Sequence, residues 1–176
     1  VVINIFQEIK KWLLEKSLDE RMVFTSGAGS FGHPLAYKYQ LNAPTSEKDN
    51  IGFVSTTTNM QTMGSLIAKL AHEESIPLLP IPPSSVFLTN NGRIINCASD
   101  GILHALEENL IPFFWGDAVF DISHRYRILS GDQINTYLFD ELNADSICYG
   151  TDVDGVFRDD PSKNPNSPML EEINNS

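Results

Sequence analysis

The chain is poor in cysteine, in basic residues and in long apolar runs, and each shortage excludes a class of protein. Its 176 residues include two cysteines, too few for a disulfide scaffold, and we expect Cys148, which lies in an apolar run, to be a reduced core residue. Lysine and arginine total 12 against 23 acidic residues, a formal net charge of −11. Because that charge repels nucleic acids and anionic membranes, neither is an expected partner.

Two further absences concern location. No apolar run approaches the length of about 20 residues that a membrane-spanning helix needs. The opening residues show neither the basic leader nor the cleavage site of a signal peptide, so we expect a cytoplasmic protein. Hydrophobic residues make up 41% of the chain, which is enough for one globular domain with a sizeable core.

What the chain does contain is glycine and aspartate placed directly after apolar, strand-like runs. Three such segments lie near its end, GDAVFD (116–121), ILSGD (128–132) and TDVDGVF (151–157), and a fourth, GAGSFGH (27–33), comes earlier. This arrangement brings backbone N–H groups and carboxylates to one edge of a sheet, where phosphates and their Mg²⁺ can be held. The segments therefore indicate phosphate chemistry on an α/β sheet.

Hydrophobic periodicity predicts strands that alternate with helices, and hence a mostly parallel sheet covered on both faces. We expect helices over 3–16, 53–74, 98–109 and 132–142, with one more beginning at Pro34. Strands are expected over 22–25, 76–81, 111–115 and 125–129, with a buried strand over 146–149 and a hairpin formed by 86–88 and 93–96. An apolar stripe of Met60, Met63, Ile67 and Leu70 on the helix from Phe53 indicates core packing, or alternatively the wall of an apolar substrate pocket.

In the segment SGD, glycine opens a predicted helix. A phosphate bound at Gly131 would meet unpaired N–H groups and the positive end of the helix dipole. Asp132 would then lie in the first turn, where a carboxylate repels a phosphate unless cations stand between them. We therefore assign Asp132 to organising cations, although an aspartate that only stabilises a helix start fits the same pattern.

The segment GAGSFGH places three glycines within six residues, which lets the backbone approach a ligand closely. His33 could donate a hydrogen bond to a phosphate oxygen, and the alternative is a tight turn with His33 near a helix start. The segment is not a Walker A loop, because no Gly-Lys-Ser or Gly-Lys-Thr follows, and its glycine spacing differs from the dinucleotide fingerprint.

Asp152 and Asp154 in TDVDG follow the strand expected over 146–149. A calcium loop is the obvious competitor, but Gly155 comes too early for an EF-hand and the remaining ligands are missing. We favour binding of a nucleotide's ribose or phosphates here, with an ordinary strand-to-loop turn as the alternative.

Taken in order, GAGSFGHPLAYKY, PIPPSS, GDAVFD, ILSGD and TDVDGVFRDDPSKNP resemble the amino acid kinase superfamily, and within it the isopentenyl phosphate kinases. The discriminating residue is the histidine that closes GAGSFGH, which those kinases use to bind the acceptor phosphate and which the carboxylate kinases lack. The resemblance implies an αβα sandwich fold and transfer of phosphate from Mg·ATP to isopentenyl phosphate or a related prenyl phosphate, by a homodimer.

The resemblance also implies a role for particular residues. His33 and Asp132 would be catalytic, the latter by organising the catalytic lysines. The acceptor phosphate would contact Ala28, His33 and Gly131, whereas ATP would contact Gly29, Asp152, Phe157 and Asp160. Residues 1–176 would form one domain, with 1–115 mainly binding the acceptor and 116–176 starting the nucleotide-binding half.

Two departures from the family pattern stand out. The sequence has no Lys-x-Gly-Gly-Ser segment, and it stops soon after DDPSKNP. We therefore expect the chain to be incomplete at both ends and, as it stands, an inefficient kinase. Two alternatives remain open, namely a binding or regulatory relative that has lost phosphate transfer, and a superfamily kinase with another phosphate or phosphonate acceptor.

Overall fold

The fold is built around one apolar strand, Ile111–Trp115, in which every residue is buried. The computed structural model describes residues 2–41, 50–150 and 153–170. They divide into two units, Val1–Asp145 and Ser146–Ser176, and each unit is described by itself. The predicted division of labour between 1–115 and 116–176 stays a prediction.

The first unit alternates helices and strands, as the periodicity predicts. Its helices are α1 (Val2–Glu15), α2 (Gly29–Lys38), α3 (Asn50–Glu73), α4 (Asp100–Glu107) and α5 (Gly131–Glu141), with a 3₁₀ turn at Pro83–Ser85. Its strands are β1 (Phe24–Ser26), β2 (Leu78–Pro80), β3 (Phe87–Asn90), β4 (Arg93–Cys97), β5 (Ile111–Trp115), β6 (Asp117–Asp121) and β7 (Arg125–Leu129).

The strands form two sheets in which parallel pairing predominates. Strand β5 lies between β1 and β2 and is parallel to both. The second sheet has the order β4-β3-β6-β7, with β3 parallel to β6 and antiparallel hairpins on either side. The α/β class with a mostly parallel sheet is therefore confirmed, as is the hairpin predicted from 86–88 and 93–96.

Successive side chains of β5 enter two different cores, which explains why the whole strand is apolar. Phe113 and Trp115 pack in the core formed with α1 and α3, whereas Phe114 packs in the core formed with α4 and α5. Helices thus cover both faces of this strand, which confirms the sandwich. Met60 and Met63 belong to the first core with Ile67 packed against it, as the core interpretation of the stripe predicts, while Leu70 is 45% exposed.

Helix α2 begins at Gly29, so the prediction of a helix start at Pro34 was wrong. Pro34 lies inside the helix, where it lacks the N–H group that would bond one turn back. Most of GAGSFGH is therefore the start of a helix and not a loop. Strand β1 passes into α2 through Gly27 and Ala28 alone.

GDAVFD, for which we predict no element, forms a strand, since its last five residues are β6 and pair with β7. Two further predictions about the end of the chain were wrong. Residues 146–149 form no strand, and 143–150 are all exposed, because no described strand lies beside them to complete a hydrogen-bonded ladder. Cys148 is consequently exposed and not a core residue.

The second unit is held by short-range contacts. Phe157 and Met169 form an isolated antiparallel bridge, and the N–H of Leu170 donates to the carbonyl of Val156 at 2.7 Å. Buried Ser167 accepts a hydrogen bond from the N–H of Asp159 at 2.8 Å.

Candidate phosphate-binding site

The parallel strands β1 and β5 end side by side, and their ends are joined by hydrogen bonding. Ser26 and Trp115 are register partners, and the N–H of Gly116 donates to the carbonyl oxygen of Ser26 at 3.0 Å. In open α/β sheets the carboxyl ends of parallel strands are where ligands bind. The segments that leave these two strands are therefore candidates for a ligand-binding site.

Two helix N-termini converge on this point. A Cβ atom added to Gly116 would lie 3.3 Å from the backbone nitrogen of Ala28, at the start of α2, and 3.5 Å from the backbone nitrogen of Gly131, at the start of α5. The first N–H groups of a helix have no partner within the helix, and the helix dipole adds positive potential. Together the two N-termini form a concentrated set of donors suited to an anion.

Glycine at position 131 is required by a close backbone approach. A Cβ atom there would lie 2.8 Å from the carbonyl oxygen of Ser26 and 3.2 Å from its carbon. The start of α5 is also capped reciprocally, since the N–H of Gln133 donates to Ser130 Oγ at 3.1 Å and the N–H of Ser130 donates to Gln133 Oε1 at 3.0 Å. The helix start is thus fixed both against β1 and internally.

The three glycines of GAGSFGH have different roles. Gly29 has a φ of +47°, which other residues rarely adopt, and both Gly27 and Gly29 face open space in which a ligand could approach the backbone. A Cβ atom on Gly32 would instead lie 2.9 Å from Met60 Sδ, so this glycine lets α2 pack closely on α3. The first two glycines therefore belong to the candidate site and the third belongs to the core.

The structure brings Ala28, Gly29 and Gly131 together and places His33 and Asp132 on the helices that start there. His33 is exposed in the second turn of α2, and Asp132 is exposed in the first turn of α5. No described contact fixes either side chain to the junction, meaning the place beside Gly116 where the N-termini of α2 and α5 converge. Their predicted roles toward phosphate and cations stay predictions.

Apart from Gly29, the predicted nucleotide residues lie in the second unit or outside the described residues. Asp152 is among the latter. Phe157 is half-buried in the bridge with Met169. The Asp160 carboxylate accepts from Ser162 Oγ at 2.6 Å and pairs with Lys163 at 3.1 Å, and these contacts, the serine hydroxyl first, lower its pKa. The turn around Asp160 is therefore locally stabilised, and its contact with a nucleotide stays a prediction.

Asp117 is a candidate site residue that the sequence interpretation did not single out. It directly follows Gly116, is 2% exposed, and accepts a hydrogen bond from the N–H of Ala118 at 2.8 Å. Burial raises its pKa to about 7, although Ala118 and the neighbouring Trp115 and Ser84 favour the charged form. The signal in the sequence was an aspartate enclosed by apolar residues on both sides, in FFWGDAVF.

Asp121, at the other end of β6, has a structural role. Its carboxylate accepts from Thr89 Oγ1, from the N–H of Gly92 and from the N–H of His124, each at 2.8 Å. Burial acts to raise the pKa of Asp121, but these hydrogen bonds prevail and lower it to about 2. The two aspartates of GDAVFD are therefore separated in space and in role.

The described residues contain neither a membrane-spanning helix nor a preformed metal cluster. Across 2–41, 50–150 and 153–170, no helix is long and apolar enough to cross a bilayer, and no group of three His, Cys, Asp or Glu side chains could hold a metal ion. Mg²⁺ in phosphoryl-transfer sites is commonly bound by one or two carboxylates together with substrate phosphates. The role of Asp132 toward such a cation stays a prediction.

Comparison with known proteins places this geometry in a family. The isopentenyl phosphate kinase of Methanocaldococcus jannaschii is 38% identical over 143 residues, 79% of this chain and 54% of its own length. The isopentenyl phosphate kinase of Methanothermobacter thermautotrophicus is 31% identical over 159 residues, 86% of this chain and 60% of its own. The chain thus spans a little over half the length of these curated relatives.

A solved structure of isopentenyl phosphate kinase superposes with a TM-score of 0.87 at 28% identity, over 96% of this chain and 70% of that one. The sequence profile of the amino acid kinase family matches residues 2–176. With helix N-termini converging at the carboxyl ends of parallel strands and a profile match along almost its whole length, the chain belongs to the amino acid kinase family.

Proposed function

We propose that the protein containing this chain transfers a phosphoryl group from Mg·ATP to isopentenyl phosphate, yielding isopentenyl diphosphate and ADP. The observation that carries the proposal is the convergence of the N-termini of α2 and α5 beside Gly116. The similarity to isopentenyl phosphate kinases supports the choice of acceptor. Because the chain spans a little over half of those relatives, the proposal concerns the whole protein.

The chemistry asks for alignment and charge neutralisation more than for a strong base. A phosphate monoester has a second pKa of about 6, so near neutral pH it is largely a dianion and already a nucleophile. Mg·ATP supplies the phosphoryl group and part of the positive charge. The protein's task is to hold the acceptor in line and to stabilise the charge of the transferring group.

The described residues fit that task in a defined way. Backbone N–H groups at Ala28 and Gly131 would hold the acceptor phosphate, with His33 donating a further hydrogen bond. Gly29, whose backbone faces open space, would approach the phosphates of ATP. Asp132 would organise cations between the two substrates, which removes its own repulsion of phosphate.

The remaining assignments rest on the family resemblance. Asp152, Phe157 and Asp160 would lie beside the nucleotide, and the enzyme would act as a cytoplasmic homodimer. Helix α3 would border the isoprenoid tail through its apolar side chains, in addition to its role in the core.

The decisive experiment is an ATP-dependent assay of the full-length gene product with isopentenyl, dimethylallyl and longer prenyl phosphates. We expect diphosphate products, and the absence of turnover with every prenyl phosphate would refute the proposal. The role of His33 is tested by His33→Ala. The matched control is His104→Ala, because the side chain of His104 is exposed on α4 and its one described hydrogen bond is with Glu107.

Loss of one hydrogen bond to a charged group is worth about 1.5–3 kcal/mol. His33→Ala should therefore weaken isopentenyl phosphate binding about tenfold or more and leave ATP binding nearly unchanged, as measured by titration calorimetry. Equal losses for both ligands, or an equal loss in the control variant, would contradict the role given to His33.

A further inference from the structure

The side chain of Gln133 contacts two separate elements at once. Its Oε1 accepts from the N–H of Ser130 at 3.0 Å, which is the capping contact at the start of α5. Its Nε2 donates to the carbonyl oxygen of Gly92 at 3.2 Å, which lies at the tip of the β3–β4 hairpin. One amide group therefore joins the helix start to a turn 41 residues earlier in the chain.

The hairpin tip is itself held firmly on its other side. Asn91 and Gly92 have φ values of 51° and 76°, as expected for a two-residue hairpin turn built on Asn-Gly. The N–H of Gly92 donates to the buried carboxylate of Asp121 at 2.8 Å. Gly92 thus donates a hydrogen bond to Asp121 through its N–H group and accepts one from Gln133 through its carbonyl oxygen.

The helix start that Gln133 holds is the one that forms the candidate phosphate site. Gly131 follows Ser130 directly and lies so close to the Ser26 carbonyl that no side chain fits between them. Beyond the Gln133 bridge, the hairpin and α5 border an open groove of about 360 Å³ whose lining includes Arg93 and Tyr137. The hydrogen bond from Gln133 to Gly92 thus joins the start of α5 to the hairpin tip at the edge of this groove.

We propose that Gln133 is a positioning residue for the acceptor phosphate: by bridging Ser130 to Gly92, its side chain fixes the N–H groups at the start of α5 in the geometry that binds the phosphate. The inference rests on the proposed function, since it assumes that this helix start binds the acceptor. It goes further by assigning to the hairpin a role in acceptor binding.

The amide of glutamine is what separates this role from ordinary capping. Glutamate at the same position completes a capping box equally well, because a carboxylate oxygen also accepts from the N–H of Ser130. A carboxylate cannot donate to the Gly92 carbonyl and would face that oxygen with a negative charge. Gln133→Glu therefore keeps the cap and removes the bridge, whereas Ser130→Ala removes one capping bond and keeps the bridge.

Three variants of the full-length protein test the inference: Gln133→Glu, Gln133→Met, which removes both contacts without adding charge, and Ser130→Ala. Binding of isopentenyl phosphate and of ATP is measured by calorimetry, and KM and kcat by steady-state kinetics. We expect both Gln133 variants to raise the Kd and KM for isopentenyl phosphate about fivefold with little change for ATP, and Ser130→Ala to change them less than about twofold. Amide hydrogen exchange of residues 91–93 should quicken in the Gln133 variants and not in Ser130→Ala.

The added charge of glutamate is separated by repeating the titrations at high salt, which screens the charge but does not restore the bridge. If Gln133→Met binds isopentenyl phosphate as tightly as the wild type, or no worse than Ser130→Ala, the inference is overturned while the proposed function stands. A wild-type protein that binds no isopentenyl phosphate would overturn both.

Discussion

The close approach of α5 to β1 gives the sharpest test of the site, through Gly131→Ala. The new Cβ atom would lie 2.8 Å from the Ser26 carbonyl oxygen, whereas ordinary contact begins near 3.4 Å. Ser26 cannot retreat easily, because its oxygen accepts from Gly116 and its strand is paired with β5. The start of α5 must therefore move by roughly half an ångström or more, a strain that typically costs about 1–3 kcal/mol.

The same shift should weaken anion binding more than it weakens the fold. A charge-assisted hydrogen bond to a displaced N–H group loses much of its value of about 1.5–3 kcal/mol, which corresponds to about a tenfold or larger rise in Kd. We would measure unfolding by urea and phosphate binding by calorimetry. Gly101→Ala is the matched control, because Gly101 lies in α4 with no atom near its would-be Cβ, and this variant should be neutral or more stable by up to about 1 kcal/mol.

If Gly131→Ala folds and binds isopentenyl phosphate like the wild type, the tight contact between α5 and β1 does not position the acceptor. Loss of stability without loss of binding would keep the contact as a feature of the fold and remove it from the site.

Three further predictions concern residues that pack or hydrogen-bond elsewhere in the first unit. Gly64→Ala would place a Cβ atom 2.3 Å from the Trp115 ring, so it should destabilise the fold by about 3 kcal/mol, and adding Trp115→Phe should recover part of that loss in urea unfolding. Asp121→Ala leaves the buried hydroxyl of Thr89 and the part-buried N–H of Gly92 without their acceptor and should cost about 3 kcal/mol, with faster amide exchange at Gly92. Burial raises the pKa of Asp117 from 3.8 to about 7, so the folded state binds this proton more tightly than the unfolded state does. The stability gained from the bound proton is lost as pH rises through 7. Between pH 4 and 8 the wild type should therefore lose up to about 4 kcal/mol more stability than Asp117→Asn does.

The regular part of the fold could be predicted because its signals are local. IPFFW at 111–115 is apolar throughout and bounded by polar residues, so it predicts a strand buried on both faces, and the structure has β5 at the same residues. Asn91-Gly92 between two short strands predicts a hairpin by its turn chemistry, and β3 and β4 pair across it. The meeting of the glycine-rich segment with Gly131 follows from the same logic, since both segments leave strand ends.

The errors arose where the outcome depends on neighbours that sequence does not reveal. Pro34 is tolerated inside α2 because the helix gains packing against α3, where Gly32 meets Met60. GDAVFD became a strand because β7 lies antiparallel beside it. The apolar residues of 146–149 found no partner strand in the described part of the chain, and Cys148 is exposed as a result.

The proposed anion site lies in a chain with a net charge of −11, which needs an explanation, and the two aspartates of GDAVFD supply part of it. Asp117 follows Gly116, where the helix starts converge. Burial raises the pKa of Asp117 to about 7, so near neutral pH its side chain is uncharged in a large fraction of the protein molecules. Asp121 is fully ionised near neutral pH, but it lies four residues along the strand, about 13 Å away, and its charge is stabilised there by hydrogen-bond donors. Of these two aspartates, the one beside Gly116 is thus only partly charged and the fully ionised one is remote, while Asp132 in the first turn of α5 would be screened by the cations it organises. Local N–H dipoles can therefore prevail over the repulsion of the whole chain at this edge of the sheet.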